Sequence, residues 1–244
     1  MCIRDSCMTM GTASTMTSAA EVLGLTLPGA SSIPAPDSRH AQMATLTGKQ
    51  IVDMVWSDVK PLDFLTPASF DNAVTAVLAL GGSTNSIVHL IAMARRAGFN
   101  LTLDRFDELA RRTPVLANLR PSGKHLMEDF YYAGGLRALL TRIPDLLDLE
   151  QRNALGQTLR QALEGAQVYN DDVIRSRENA LVQQDGLAVL RGNLAPDGAV
   201  IKPAAMEPHL RQHTGKAVVF KDYNDMSARI DDPNLDVDAS SVIV

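Results

Sequence analysis

The stretch from Phe70 to Ala97, FDNAVTAVLALGGSTNSIVHLIAMARRA, constrains the fold more than any other part of this chain. It reads as two apolar helices separated by Gly81-Gly82, the first stopped by the glycines and the second started by Ser83 or Thr84 and running from Asn85 to Ala97. The second is apolar nearly all round, a pattern that belongs inside a large domain, and His89 on it then reads as a satisfied core histidine. A chain of 244 residues is long enough to bury such a pair.

Composition fixes what the core is made of. Aromatic residues are only 5% while hydrophobic residues are 45%, so Ala, Val, Leu, Ile and Met must fill it, which favours an α/β fold with helices packed on a sheet. A net charge of -5 with scattered Lys and Arg gives no field for a phosphate backbone, so nucleic acid is excluded as a partner. No apolar run reaches the roughly 18 residues that span a bilayer, and the start lacks a secretory pattern; no membrane is expected, and a cytoplasmic location is the default. Both cysteines, Cys2 and Cys7, fall in the first seven residues, which is no disulfide framework and leaves a thiol free for metal.

Along the chain, Gly11 to Leu27 suits a closely packed helix stopped by Pro28-Gly29, and a Ser/Pro/Ala loop leads to a helix over 41–55 with Ile51, Met54 and Val55 on one buried face. LTLDRFDEL offers a short extended piece and a helix capped by Asp104. Pro121-Ser122-Gly123 makes a turn before the amphipathic Leu126, Met127 and Phe130, and Gly134-Gly135 precedes the helix LRALLTRI. Residues 145–165 read as a peripheral helix with loops. The texture then changes to strand-like runs, LAVLRG, AVIK and KAVVF, broken at Asn193, Pro196-Asp197-Gly198 and Gly215, with a short helix between Asp222 and Ile230 and a last apolar strand. The expected organisation is a leader over 1–6, an α/β domain over 7–184 and the start of a β-rich domain over 185–244.

Cys7 to Met16, CMTMGTASTM, places a thiol just before a small-residue helix, where the positive end of the helix dipole favours thiolate. This segment resembles the third cluster-cysteine motif of the dihydroxy-acid and sugar-acid dehydratases. Further landmarks of that family look similar in order: IPAPDSRH, PASFDNAVTAVLALGGSTNSIVHLIAMA, LRPSGKHLMEDFYYAGGL, GNLAPDGAVIK and RIDDPNLDVDASSVIV. The Thr-Met-Gly-Thr-Ala-Ser-Thr-Met version is similar to the sugar-acid (aldonate) branch, whereas the branched-chain dihydroxy-acid branch usually carries a Gly-Gly-Met-Tyr-Thr-Ala-Asn type.

The resemblance implies an iron–sulfur hydro-lyase that dehydrates an aldonate or 2,3-dihydroxy acid to a 2-keto acid, with a helix-rich N-terminal-type domain and the start of a barrel-like second one. It implies Cys7 as an iron ligand, a two-iron in preference to a four-iron cluster, Mg2+ as a second cofactor, and a homo-oligomer. Thr9, His40, Thr84 and Asn85 are the candidate substrate-binding residues. Two further cluster cysteines, one in a Cys-Asp-Lys motif that also supplies magnesium ligands, and a later Pro-Gly-Met-Pro-Glu segment and serine base have no counterpart in these residues. The expectation is therefore an internal piece with one thiolate of three, inactive alone. MCIRDS does not resemble the family and reads as a foreign leader, so Cys2 is not carried over.

Rival readings remain open at this point. One is a non-catalytic, helix-rich binding or scaffold domain that keeps the framework without the chemistry. The Gly81–Asn85 turn could receive an anion at a helix start, but it lacks the lysine of a phosphate loop, and its simpler reading is a C-cap followed by an N-cap. His125, His209 and His213 have no metal spacing, and Asp231-Asp232 reads as a solvated turn.

Overall fold

The computed structural model describes residues 8–244, which form two compact units, one reaching to Ala204 and the other spanning Ala205–Val244. The first is helix-rich, with α1 Thr12–Val22, α2 Ser38–Trp56, α3 Pro67–Ala79, α4 Asn85–Arg96, α5 Leu103–Ala110, α6 Met127–Tyr132, α7 Gly135–Leu140 and α8 Leu159–Leu163, followed by the strands β1 Ala188–Gly192 and β2 Ala195–Ile201. The second contains β3 Ala217–Val218, α9 Tyr223–Arg229 and β4 Val242–Ile243. None of the described helices is long and apolar enough to cross a membrane.

The helix α3 is the hub. Thr66 starts it with a reciprocal cap, its hydroxyl accepting from Ser69 N–H while Ser69 Oγ accepts from Thr66 N–H, and every residue from Asn72 to Ala79 is buried. Ala73, Ala76 and Ala79 keep its surface shallow, so α1, α4 and α5 all pack against it. The helices thus find their partners mainly in one another, and the sheets among the described residues are two-stranded.

Several local expectations are corrected. The first helix stops at Val22, not at Pro28-Gly29, because Gly24 adopts a left-handed φ of +80° and closes a Schellman turn: Gly24 N–H donates to Glu21 O and Leu25 N–H to Ala20 O. A side chain at Gly24 would also meet Asn153 Cα at 2.7 Å. The helix α4 is one-sided, with Ile87, Leu90 and Ala94 inward and Val88 and His89 exposed, so His89 is no core histidine. Asp37 caps α2, accepting from Arg39 N–H at 2.9 Å, but no residue of α2 is buried: Ile51 and Val55 are exposed, and only Met54 of the expected face packs partly on the core. Thr102, not Asp104, caps α5, because its hydroxyl accepts from Arg105 N–H while Asp104 turns to Arg191.

The strands β1 and β2 form an antiparallel hairpin, Val189 opposite Val200, with a bulge between Leu190 and Gly192. Pro196-Asp197-Gly198 lies inside β2 and the turn is at Asn193-Leu194, so the proline does not break the strand where the sequence suggested. The hairpin belongs to the first unit, beyond the boundary expected near Asp185. Lys202, at its end, donates from Nζ to Gly81 O at 2.5 Å, closing the C-terminus of α3. In the second unit β3 and β4 pair in parallel, Ala217 opposite Val242, and Asp222 caps α9.

Sequence reading missed one buried segment. Thr113–Leu119 is buried and extended: Leu116 N–H donates to Ala79 O, Val115 N–H to Val182 O and Asn118 N–H to Val173 O. It looks like a loop in sequence because Pro114 and Asn118 interrupt its apolar pattern.

Candidate functional site

The segment 8–10 leading into α1 is held on both sides by the loop 120–127. Met10 N–H donates to Arg120 O at 2.8 Å, and Met127 N–H donates to Met8 O at 2.9 Å. Between them the Thr9 carbonyl accepts from Gly11 N–H and from Ser14 Oγ, both at 2.9 Å. The loop itself depends on Asn118, whose side chain accepts from Lys124 N–H and donates to Asp172 O, and on Gly123, where a Cβ would come within 2.5 Å of the Asn118 carbonyl carbon. The resembling motif is thus fastened by a second landmark, LRPSGKHLMEDF.

A third landmark fastens it from the other side. Asn85 Nδ2 donates to Thr12 Oγ1 at 2.9 Å, the Thr12 and Ser83 hydroxyls lie 3.1 Å apart, and Ser83 N–H donates to the buried Thr15 hydroxyl at 3.0 Å. Gly82 permits this approach, since a Cβ there would meet Thr15 Cγ2 at 2.8 Å. The Gly81–Asn85 turn therefore serves as the seat of the α1 start.

On the exposed side of α1 opens a cleft of about 350 Å³. One wall is Met8, Ala13, Ser14 and Thr17; the opposite wall is the loop from Ala30 to Pro36; His40 in the first turn of α2 and Met127 and Glu128 at the start of α6 complete it. Each wall is anchored to another. Arg39, bonded to Asp37 through Nε at 2.8 Å, places its guanidinium carbon 4.8 Å above the Tyr131 ring, tying the α2 start to α6. That guanidinium holds the half-buried Asp37 carboxyl down at about 2. Ser32 Oγ accepts from Leu136 N–H at 3.0 Å. The Glu21 carboxylate accepts from Gly29 N–H at 2.7 Å and Ser31 N–H at 2.8 Å.

Of the residues singled out by sequence, His40 lines the cleft and is exposed there. Thr9 lies half-buried between Met8 and Met10, with its carbonyl turned to the α1 start. Asn85 is exposed and bonded to Thr12, and Thr84 stands at the N-cap of α4 without a side-chain capping bond; neither is among the residues lining the cleft. Cys7 lies outside the described residues and immediately precedes Met8 in the chain. Ser14, Thr17, Glu128 and Glu21 were not anticipated. A polar spacing on α1, Ser14, Thr17, Ser18 and Glu21, was the available signal, obscured because small polar residues also serve close helix packing.

The donor set limits what this chain can hold. Among the described residues no three His, Cys, Asp or Glu side chains gather into a group able to bind a metal ion, and none is a cysteine. The described residues by themselves therefore supply no thiolate for an iron–sulfur cluster. What the cleft offers is hydroxyls, an imidazole and a carboxylate set among the apolar side chains of Met8, Ile33, Pro34 and Met127, a lining suited to holding a small molecule.

Comparison with known families decides the lineage. The family model described as dihydroxy-acid/6-phosphogluconate dehydratase N-terminal matches residues 3–162, and the corresponding C-terminal model matches residues 172–244. The chain belongs to the dihydroxy-acid/6-phosphogluconate dehydratase family. The N-terminal match begins inside the stretch expected to be a leader, and the two matches meet between 162 and 172. Within the dehydratase family the chain is 53% identical to 6-deoxy-6-sulfo-D-gluconate dehydratase of Pseudomonas putida over 98% of its own length and 42% of that protein. It is 48% identical to L-arabinonate dehydratase of Rhizobium leguminosarum bv. trifolii (92% and 39%) and 44% identical to dihydroxy-acid dehydratase of Caldicellulosiruptor bescii (88% and 40%). It spans about two fifths of the length of these curated relatives.

Proposed function

We propose that the full-length protein is a hydro-lyase that dehydrates a sugar acid of the aldonate type to a 2-keto acid. The observation that supports this reading is the cleft: its facing walls are the helix that follows Cys7 and the loop that opens IPAPDSRH, two stretches that resemble family landmarks and lie within the matched residues 3–162. The relatives named for sugar acids, at 53% and 48% identity, favour an aldonate over a branched-chain dihydroxy acid, whose named relative stands at 44%.

In this reading Cys7 supplies one thiolate to an iron–sulfur cluster, two-iron in type, and a magnesium ion is the second cofactor; the remaining ligands come from other parts of the protein. The described residues have a binding role. Thr17 and Ser14 on α1 and His40 on α2 meet substrate hydroxyls, while Glu128 orients a hydroxyl or a protonated group at the rim. The protein works in the cytoplasm as a homo-oligomer.

The test is formation of 2-keto acid by the full-length protein, prepared and assayed without oxygen, from a panel of aldonates and a branched-chain 2,3-dihydroxy acid. An aldonate is expected to be the preferred substrate. Preference for the branched-chain acid moves the protein to the other branch, and no keto acid from any of them overturns the proposal.

A further inference from the structure

We infer that Glu21 is a positioning residue for the acid substrate, holding the Ala30–Pro36 wall of the cleft at its working distance from α1. The inference rests on the dehydratase reading above. Glu21 lies in the last turn of α1, only 9% exposed, and does not line the 350 Å³ cleft; its two oxygens divide between Gly29 N–H and Ser31 N–H at 2.7 and 2.8 Å. One helix therefore provides a cleft wall with its first two turns, through Ala13, Ser14 and Thr17, and clamps the facing wall with its last.

A buried carboxylate is a costly way to secure a loop. Removing an ionised carboxylate from water carries a penalty of several kcal/mol unless directed partners compensate. No salt bridge to Glu21 is present among the described residues, and Arg137, the charge that acts on it from α7, spends its guanidinium on Ala162 O at 2.6 Å and Glu164 O at 2.9 Å. The main compensation is thus the hydrogen bonds from Gly29 and Ser31, with the Arg137 charge adding a smaller part. Two acceptors on one rigid carboxylate fix the direction of both peptide units, which a single hydroxyl or amide acceptor cannot do. Gly29, at a left-handed φ of +87°, turns the backbone so that its N–H and that of Ser31 face the same point. A second cavity, about 20 Å³, borders Glu21 and Arg137 from behind, too small for a substrate, so the carboxylate acts on the cleft through the loop.

The experiment compares wild type, Glu21→Gln and Glu21→Asp in the full-length protein, reading KM and kcat for the preferred acid, iron content, and hydrogen exchange of the peptide covering residues 25–37. Gln turns an NH2 against one loop N–H, and Asp keeps the charge but lacks the reach for both. The expected result is KM raised about tenfold in the Gln variant, the equivalent of one hydrogen bond to a charged group, with a smaller rise in the Asp variant. Faster exchange at 25–37 accompanies it, while kcat and iron content stay near wild type. Unchanged KM despite faster exchange overturns the inference, as does unchanged exchange, and so does joint loss of fold and iron in both variants, which makes Glu21 a residue of the fold alone. If wild type dehydrates no acid, the functional reading falls, and the exchange data alone then decide whether Glu21 holds this wall.

Discussion

Asn85 donates a side-chain N–H to the Thr12 hydroxyl at 2.9 Å, joining the start of α4 to the start of α1 across 73 residues of sequence. Around this bond the Thr15 hydroxyl, fully buried, gives its proton to Gly11 O at 2.7 Å and receives Ser83 N–H. The start of α1 is therefore set by the Gly81–Asn85 turn, and the turn by the buried α3 and the half-buried α4 that it joins.

Removing parts of this junction has graded consequences. Asn85→Ala loses a partly solvated bond and is expected to cost about 0.5–1 kcal/mol, whereas Thr15→Val keeps the shape but leaves Ser83 N–H unpaired in the interior, costing about 1–3 kcal/mol. Urea midpoints of the two variants order them; equal midpoints would mean that Ser83 N–H finds another acceptor.

Two glycines, one in a tight loop and one in mid-helix, respond oppositely to alanine. At Gly123 a Cβ meets Asn118 and Leu119 backbone at 2.5–2.6 Å, so Gly123→Ala forces the loop off segment 8–10 and costs about 1–3 kcal/mol. Gly48 lies in the middle of α2 with nothing within 4 Å of its Cβ position, so Gly48→Ala raises stability by about 0.5–1 kcal/mol through helix propensity. Thermal unfolding of both variants checks the contrast.

Glu21 gives stability a definite pH dependence. Burial raises its pKa above the ordinary 4.5, opposed by the hydrogen bonds from Gly29 and Ser31 and by the Arg137 charge. The folded chain therefore binds this proton more tightly than the unfolded one, and the contribution is fully present below pH 4.5 and lost as pH rises through the folded value. Asp37, Asp145 and Asp172, all with lowered values, act with the opposite sign at lower pH. Subtracting the urea midpoints of Glu21→Gln from those of wild type across pH 4–8 isolates the Glu21 part, which falls with rising pH; a flat difference contradicts the assignment.

Much of this architecture is legible in the residues, for identifiable reasons. Phe70–Leu80 announces a buried helix because Phe70, alanines and aliphatics fill all but Asp71, Asn72 and Thr75, and Thr66 and Ser69 mark its start. The strands around Val189 and Val200 are readable from β-branched content. The apolar spacing on α2 was legible too, but spacing names a face and not its partner, and no residue of that face is buried within this chain. His89 was misplaced because Ala92 and Val88 beside it are apolar yet lie outside.

The site was legible in its landmarks and not in its geometry. Nothing local in IPAPDSRH says that it faces α1; that follows from Glu21 reaching eight and ten residues ahead to Gly29 and Ser31, and from Arg39 stacking on Tyr131. Thr84 and Asn85, read as substrate contacts, sit at a helix–helix junction and are not among the residues lining the cleft.

The proposed role of Cys7 as an iron ligand meets its most direct test in Cys7→Ser of the full-length protein. Iron and acid-labile sulfide are measured after anaerobic purification, together with keto-acid formation. The account predicts that cluster content and activity fall together while far-ultraviolet circular dichroism is retained. Wild-type iron and sulfide in the serine variant would contradict it.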